Sequence, residues 1–228
     1  MARYRPAQGE TARVQVWDLP IRLFHWTLVV LLAFSWWSGE QHDMERHRLS
    51  GYAILALVVF RVLWGFVGGR TARFAHFVRG PRAALAYVRS MRGARGPSAP
   101  GHNPIGGWSV LLMLALVAGM VGAGVFAVDV DGLESGPLAD FVSFEQGRAA
   151  ASVHHFLFNL LLAAIALHVA AIAFYRLWLR YDLVSPMLHG RSDRHRDEGP
   201  LGAAWWKAVL ALAMAVACAT AVARGFRF

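Results

Sequence analysis

Four histidines lie inside or at the edge of strongly apolar segments, where an imidazole is costly and often functional. They are His25, His47, His154 and His168. Imidazole is the commonest metal ligand among side chains, although a hydrogen-bonded core histidine is the ordinary alternative for any single one. His154 and His168 stand fourteen residues apart in one run, "VHHFLFNLLLAAIALHV". Helical geometry separates them by about 21 Å along the axis and by about 40° around it, whereas His155 is about 140° from His168.

The segments that carry these histidines are long enough to cross a membrane. A helix needs roughly 20 apolar residues to span the hydrocarbon core, and the sequence has five such segments, at 21–38, 49–68, 105–127, 151–175 and 201–223. The chain is 57% hydrophobic and 16% charged, which is too apolar for an ordinary soluble domain of 228 residues. We predict an all-α membrane protein with five spans.

Arginine and lysine residues are concentrated in alternate loops. Basic residues precede span one, fill the loop between spans two and three, and surround the link between spans four and five. The other two loops are acidic on balance. The positive-inside rule therefore predicts a cytoplasmic amino terminus and outward-facing acidic loops. Topology and anionic lipid account for the net charge of +9, so we expect no binding to nucleic acid.

Chain direction places the four histidines at two levels. Span one runs outward, so His25 lies near its cytoplasmic start, and span two runs back, so His47 lies at the outer edge. Span four also runs inward, which puts His154 near the outer side and His168 toward the cytoplasm. We name His25 and His168 the inner pair, and His47 and His154 the outer pair.

Two imidazoles that face each other across a helix bundle can supply both axial ligands of a haem iron. Zinc would require more protein ligands, and the sequence contains no HExxH motif and a single cysteine, Cys218. One cysteine also excludes a cysteine-ligated iron–sulfur cluster and a CxxCH attachment site. Two bis-histidine haems therefore fit the histidine count best.

Arg61 follows His47 by fourteen residues, so it lies on nearly the same helix face, close to the level of the inner pair. A cation at that depth needs a partner, and a haem propionate is a suitable one. Snorkelling of the side chain to the cytoplasmic interface is the alternative interpretation.

Several other motifs have local interpretations. "RFAHFVRGPRAALAYVRSMR" predicts a helix on the cytoplasmic surface, and "GHNPIGG" predicts a helix start with Asn103 as N-cap and Pro104 in the first turn. Gly119, Gly122 and Gly124 allow close helix packing or leave room for a flat macrocycle, and both interpretations stay open. The histidines predicted in loops or at interfaces, without a special role, are His42, His76, His102, His189 and His195.

Five motifs resemble those of the bacterial cytochrome b561 family, which includes the b-type cytochrome subunits of nickel–iron hydrogenases. They are "VWDLPIRLFHW", "HRLSGY", "FRVLWGFVGGRTARFAHFVRGP", "GHNPIGG" and "VHHFLFNLLLAAIALHVA…MLHGR", within about residues 13–191. The resemblance implies a four-helix, haem b-binding membrane protein that exchanges electrons with quinones. It assigns ligand roles to His25, His47, His154 and His168, and it puts Arg61 and Trp64 in the R-x2-WG stretch. Relatives commonly have His-Glu at His154–His155, and helical phase and resemblance both favour His154.

These features predict electron transfer, because an iron with two axial histidines has no open coordination position. We expect a dihaem b-type cytochrome in the bacterial cytoplasmic membrane that links quinone or quinol to a periplasmic c-type cytochrome or hydrogenase. The chain is then an electron carrier or a subunit of a quinone-linked oxidoreductase, and a membrane-anchoring cytochrome b subunit of a larger redox complex is the alternative. A metal transporter is disfavoured because the spans contain no carboxylates, and a haem sensor would leave one iron five-coordinate.

The predicted domain organisation follows the resemblance. Residues 1–191 form the four-helix haem domain, and residues 192–228 form a linker and the fifth transmembrane helix, which is peripheral or docks a partner. The sequence does not decide whether two copies of the chain assemble into a homodimer.

Overall fold

The computed structural model describes residues 14–91, 101–131, 133–192 and 202–227, most of which are helical. The helices are α1 (Leu19–Glu40), α2 (Met44–Val67), α3 (Phe74–Phe77), α4 (Pro81–Met91), α5 (Pro104–Gly124), α6 (Phe144–Leu177), α7 (Val184–His189) and α8 (Trp205–Ala223). Short 3-10 turns occupy Arg70–Ala72 and Ala139–Phe141. Strands β1 (Val14–Gln15) and β2 (Arg191–Ser192) pair antiparallel, with Val14 opposite Ser192.

Five helices, α1, α2, α5, α6 and α8, are long and apolar enough to cross a membrane. The predicted all-α fold with five spans is confirmed. The predicted span and the observed helix differ most at α6. This helix begins at Phe144 because Ser143 and Gln146 form a capping box there. Its 34 residues extend over about 51 Å, so this helix is longer than the hydrocarbon core of a bilayer, about 30 Å.

Helix starts and stops follow the local sequence. Asn103 Oδ1 accepts a hydrogen bond from the Gly106 amide at 2.7 Å, which confirms the predicted start of α5. The single surface helix predicted for residues 73–92 is wrong, because it is divided into α3 and α4. The break at Val78–Gly80 has a local cause, since Pro81 disfavours helical geometry in the residue before it.

The four helices α1, α2, α5 and α6 pack as two hairpins, α1 with α2 and α5 with α6, which meet mainly through α2 and α5. A buried apolar layer crosses the bundle at mid-height, and it consists of Ile54, Val58, Val117, Met120, Val121 and Leu161. Leu161 lies midway in sequence between His154 and His168. The layer therefore separates the levels of the two histidine pairs.

Helix α8 packs along α2, outside the two hairpins. Ala211, Ala215 and Ala219 form its buried face, and these small residues let the two backbones approach closely. Ala211 and Ala215 belong to the same core cluster as Phe60 and Trp64 of α2. The fifth span is therefore attached to the helix that carries His47 and Arg61.

The two ends of the bundle differ in charge and in structure. We call the end at which α1 begins and α2 ends the basic end, and the opposite one the acidic end. At the acidic end, ion pairs from Arg48 to Glu134 and from Arg227 to Asp140 hold the loop between α5 and α6. At the basic end, the Gly190 carbonyl oxygen accepts hydrogen bonds from the amide nitrogens of Val16, at 2.8 Å, and Trp17, at 3.2 Å.

Candidate functional site

The outer pair comes together at the acidic end. His47 of α2 and His154 of α6 have ring centroids 5.9 Å apart and ring planes 76° apart. A bond from a metal to an imidazole nitrogen is about 2 Å long, so a metal held between two such nitrogens keeps the ring centroids roughly 6 Å apart. The spacing of the two imidazoles thus suits one six-coordinate metal between them.

A backbone carbonyl fixes each imidazole of the outer pair. Nδ1 of His47 lies 2.9 Å from the carbonyl oxygen of Ser35, and Nδ1 of His154 lies 2.8 Å from that of Met120. A carbonyl oxygen can only accept, so Nδ1 carries the proton in both rings and Nε2 keeps its lone pair. This is the tautomer that a histidine ligand needs, with its other ring nitrogen anchored by a hydrogen bond.

A glycine makes room for each of these hydrogen bonds. Gly39 is four residues after Ser35, and Gly124 is four residues after Met120. A Cβ atom at Gly39 would lie 3.1 Å from His47 Nδ1, and one at Gly124 would lie 2.9 Å from His154 Nδ1. In an α-helix the residue four positions later lies over the carbonyl, so glycine leaves that carbonyl accessible to an imidazole.

The glycines of α5 therefore have different surroundings. Gly124 makes room for a histidine ring, and a Cβ at Gly119 would contact Leu157 at 3.2 Å, as expected for helix packing. A Cβ at Gly122 would meet no described atom within 4 Å. Helix packing therefore accounts for Gly119 and an imidazole for Gly124, while the interpretation that these glycines leave room for a flat macrocycle stays a prediction.

His155 does not share the position of its neighbour. Its side chain is exposed, whereas His154 is half-buried. The two rings are 5.9 Å apart and nearly perpendicular, at 85°. His155 is thus directed away from the bundle interior, in the direction that the helical phase predicts.

The inner pair is less tightly organised. His25 of α1 and His168 of α6 interact electrostatically across the bundle, and the ring of Trp26 packs edge-on against His25 at 4.9 Å. His25 Nδ1 is buried and has no hydrogen-bond partner among the described residues. The four ligand assignments stay predictions. In both pairs, however, the two histidines come from different hairpins, as expected if a haem lies between the hairpins.

Arg61 is buried, with 3% of its surface exposed, so the snorkelling interpretation is wrong. Its Cζ lies 4.9 Å from the ring centroid of Phe74 and 5.8 Å from that of Phe77. Its Nη1 has no hydrogen-bond partner in the part of the chain that the structure describes. A buried guanidinium with an unpaired donor fits an anionic group that the described residues do not supply to Nη1.

Asp18 is a buried acid near Arg61 that the sequence analysis missed. Its Oδ1 accepts the Ile21 amide at 2.9 Å, and its Oδ2 accepts the Trp64 indole N–H at 3.0 Å. Burial raises the pKa of the Asp18 carboxyl, and hydrogen bonds from Ile21, Trp64 and the Gly69 backbone, followed by the charge of Arg61, partly oppose this shift. An aspartate before Leu-Pro at the start of an apolar segment is an N-cap signal that could have identified it.

His102 corrects another expectation, because it is not a solvated loop histidine. Its ring lies 4.7 Å from the ring of Trp17 and 4.7 Å from that of Phe77. Its Nδ1 is buried without a hydrogen-bond partner among the described residues. Burial, followed by the charges of Arg61 and His168, lowers the pKa of His102 to about 3. The residue before the α5 N-cap is therefore a neutral imidazole that faces the inner level.

The family model described as prokaryotic cytochrome b561 matches residues 16–190. The chain belongs to the prokaryotic cytochrome b561 family. Membership implies a multi-pass bacterial membrane protein that binds haem b and transfers electrons. The comparisons with curated proteins and with solved structures found no match.

As a cytochrome b561, the chain supplies suitable residues for haem. The outer pair offers two imidazoles with free Nε2 lone pairs and ring centroids 5.9 Å apart, and Arg61 offers a donor for a propionate. The described residues contain no cluster of three or more His, Cys, Asp or Glu side chains that could hold a bare metal ion. Helix α8 lies outside the residues that match the family.

Proposed function

We propose that this cytochrome b561 binds two haem b groups and carries electrons across the membrane between the quinone pool and a periplasmic redox partner. His25 and His168 bind the inner haem, and His47 and His154 bind the outer haem. The observation that carries the proposal is the outer pair, in which two imidazoles with ring centroids 5.9 Å apart each donate Nδ1–H to a carbonyl. A histidine that only stabilised the fold would not require a second imidazole beside it with the same hydrogen bond to a backbone carbonyl.

When bound, haem supplies reversible one-electron chemistry at its iron. Each histidine pair would supply two imidazole nitrogens to one haem iron, which would leave no coordination position for oxygen. The anchored rings of His47 and His154 hold their positions in both redox states. The buried layer around Ile54 and Leu161 excludes water between the two levels. His154 and His168 are about 21 Å apart along the continuous helix α6, so the two haems that they would hold would lie at two separate levels of the membrane.

The charge distribution supports the proposed orientation, with a cytoplasmic amino terminus and a periplasmic acidic end. At the acidic end, Glu134 and Asp140 are already paired with arginines of the same chain. The exposed carboxylates left to attract a basic periplasmic partner include Glu40, Asp131 and Glu145. A c-type cytochrome or a hydrogenase would meet the protein at this end.

The test is the haem-to-protein ratio of the purified protein, together with a reduced-minus-oxidised spectrum. We expect two b-type haems per chain and no binding of carbon monoxide to the reduced protein, because both irons are six-coordinate. Well-folded protein without haem would overturn the proposal. A ratio of one would mean that one histidine pair is not a site.

A second measurement separates an independent electron carrier from a membrane-anchoring subunit. The carrier, purified alone, is reduced by a quinol and passes electrons to a soluble acceptor. An anchoring subunit co-purifies with a larger redox complex and transfers electrons only within it. The haem ratio is the same in both cases, so this result leaves the ligand assignments unaffected.

A further inference from the structure

Besides Nδ1 of His25 itself, two buried nitrogen atoms near the inner pair have no hydrogen-bond partner among the described residues. They are Nη1 of Arg61 and Nδ1 of His102. A buried donor without an acceptor costs about 1–3 kcal/mol, and more when it is charged. Nη1 of Arg61 is always a donor, and Nδ1 of His102 is one in the Nδ1–H tautomer of the neutral ring, so a single acceptor between them would satisfy both atoms.

Both side chains lie next to the ring of Phe77. Arg61 Cζ lies 5.8 Å from its centroid, and the His102 ring lies 4.7 Å from it. Arg61 comes from α2, and His102 precedes α5, so the two residues approach one place from different hairpins. His102 also interacts electrostatically with His168, a member of the inner pair.

We propose that His102 and Arg61 together bind a carboxylate, and that this carboxylate is a propionate of the inner haem. The guanidinium donates from Nη1 and the imidazole from Nδ1. His102 thereby becomes a cofactor-binding residue of the inner site, in addition to the axial ligands. The inference rests on the proposed function, because it requires a haem between His25 and His168.

The charge balance favours a carboxylate over a neutral carbonyl group. Only 3% of the Arg61 surface is exposed, and a buried cation requires a countercharge. Asp18 is a nearby acid that interacts with it, but its oxygens accept from Ile21, Trp64 and Gly69, and Nη1 of Arg61 has no partner among the described residues. A quinone carbonyl would accept both hydrogen bonds without supplying charge.

The proposed contact affects the reduction potential of the inner haem. A propionate with two hydrogen-bond donors exerts less negative potential on the iron than one that has lost a donor. Loss of the His102 donor therefore stabilises the oxidised iron and lowers the midpoint potential. We expect a shift of up to about tenfold in the reduction equilibrium, which is about 59 mV for one electron.

The experiment compares three variants of the full-length, haem-loaded protein by redox titration of the haem absorbance. His102→Phe removes the donor and keeps a flat ring between Trp17 and Phe77. His102→Asn returns an amide N–H near the position of Nδ1. His155→Phe is the matched control, because that histidine is exposed and lies away from the inner pair. His154→Leu and His168→Leu identify which potential belongs to which haem.

We expect His102→Phe to lower the inner potential or release the inner haem, with the outer haem unchanged and with recovery in His102→Asn. An unchanged inner potential in His102→Phe would overturn the proposal, and so would equal effects of the two substitutions. A loss of quinol affinity at unchanged potential would assign these donors to a quinone site and overturn it as well. Wild-type protein without haem would instead refute the proposed function itself.

Discussion

Nδ1 of His47 in α2 donates a hydrogen bond to the carbonyl oxygen of Ser35 in α1, at 2.9 Å. The second hairpin repeats this relationship, since His154 in α6 binds the Met120 carbonyl of α5 at 2.8 Å. In both cases a glycine follows the accepting residue by four positions. Each outer imidazole is therefore oriented by the helix that precedes it in the chain.

The first prediction concerns the glycines beside these carbonyls. Gly39→Ala and Gly124→Ala each place a Cβ atom about 3 Å from an imidazole nitrogen, so the ring must move. Loss of a hydrogen bond that orients a metal ligand typically costs 10- to 100-fold in affinity. We expect each variant to bind the outer haem 10- to 100-fold more weakly and to keep the inner haem. Haem titration of the apoprotein measures this.

Gly122→Ala is the matched control in the same helix. Its Cβ would meet no described atom within 4 Å, and alanine has a higher helix propensity than glycine. We expect normal haem content and equal or greater thermal stability. Equal losses of outer haem in Gly122→Ala and Gly124→Ala would show that steric contact with His154 is not the cause.

The second prediction concerns the axial ligands. His168→Leu removes the inner haem and retains the outer haem, and His154→Leu does the reverse, because each iron loses one of two axial nitrogens. His155→Leu leaves both haems in place, since its side chain is exposed. Reduced-minus-oxidised spectra and haem-to-protein ratios measure all three. Retention of both haems in either of the first two variants would refute the ligand assignment at that position.

The third prediction is a pH dependence of stability caused by Asp18. Burial raises its pKa in the folded protein, so the folded chain binds the proton more tightly than the unfolded chain. The associated stability is fully present below the unfolded value of about 3.9 and is lost as the pH rises through the folded pKa. Asp18→Asn keeps a side chain that caps helices well and has no proton to lose.

Thermal unfolding in detergent at several pH values above 4 tests this effect. We expect the wild type to lose stability relative to Asp18→Asn as the pH rises through the folded pKa of Asp18. Asp18→Ala also loses the helix cap, at a cost of about 1 kcal/mol. Parallel pH profiles of wild type and Asp18→Asn would contradict the prediction.

The fourth prediction concerns the attachment of α8 to α2. Ala215 is fully buried between these helices, with 0% exposure, so Ala215→Leu overpacks the contact by about 1–3 kcal/mol. Ala213→Leu makes the same change on the exposed face of α8 and should be nearly neutral. Thermal unfolding measures the difference. Both variants should keep two haems, because the proposed ligands lie on α1, α2 and α6.

The sequence was sufficient to predict the five spans, because apolar length is a direct requirement for crossing a bilayer. Helical phase also predicted that His154 and not His155 faces the interior, and the exposure of His155 agrees with this. The start of α5 at Asn103 was predictable because N-capping depends on neighbouring residues. These features depend on local sequence or on chain direction.

Tertiary contacts account for what the sequence could not reveal. The acceptors at Ser35 and Met120 are backbone carbonyls. Every residue has such a group, so the amino-acid types did not indicate which carbonyls would bind the imidazoles. His102 was expected to be solvated, yet Trp17 and Phe77 enclose its ring from segments distant in sequence. The division between α3 and α4 was missed although Gly80 and Pro81 indicated it.

The anchoring of each outer imidazole within its own hairpin has a consequence for membrane insertion. Helices α1 and α2 form one finished half of the outer site, and α5 and α6 form the other, so neither half needs the other to orient its ligand. Nascent chains can therefore insert the two hairpins one after the other, before any cofactor arrives. A haem bound by the outer pair, as proposed, would then join two halves whose ligands are already oriented.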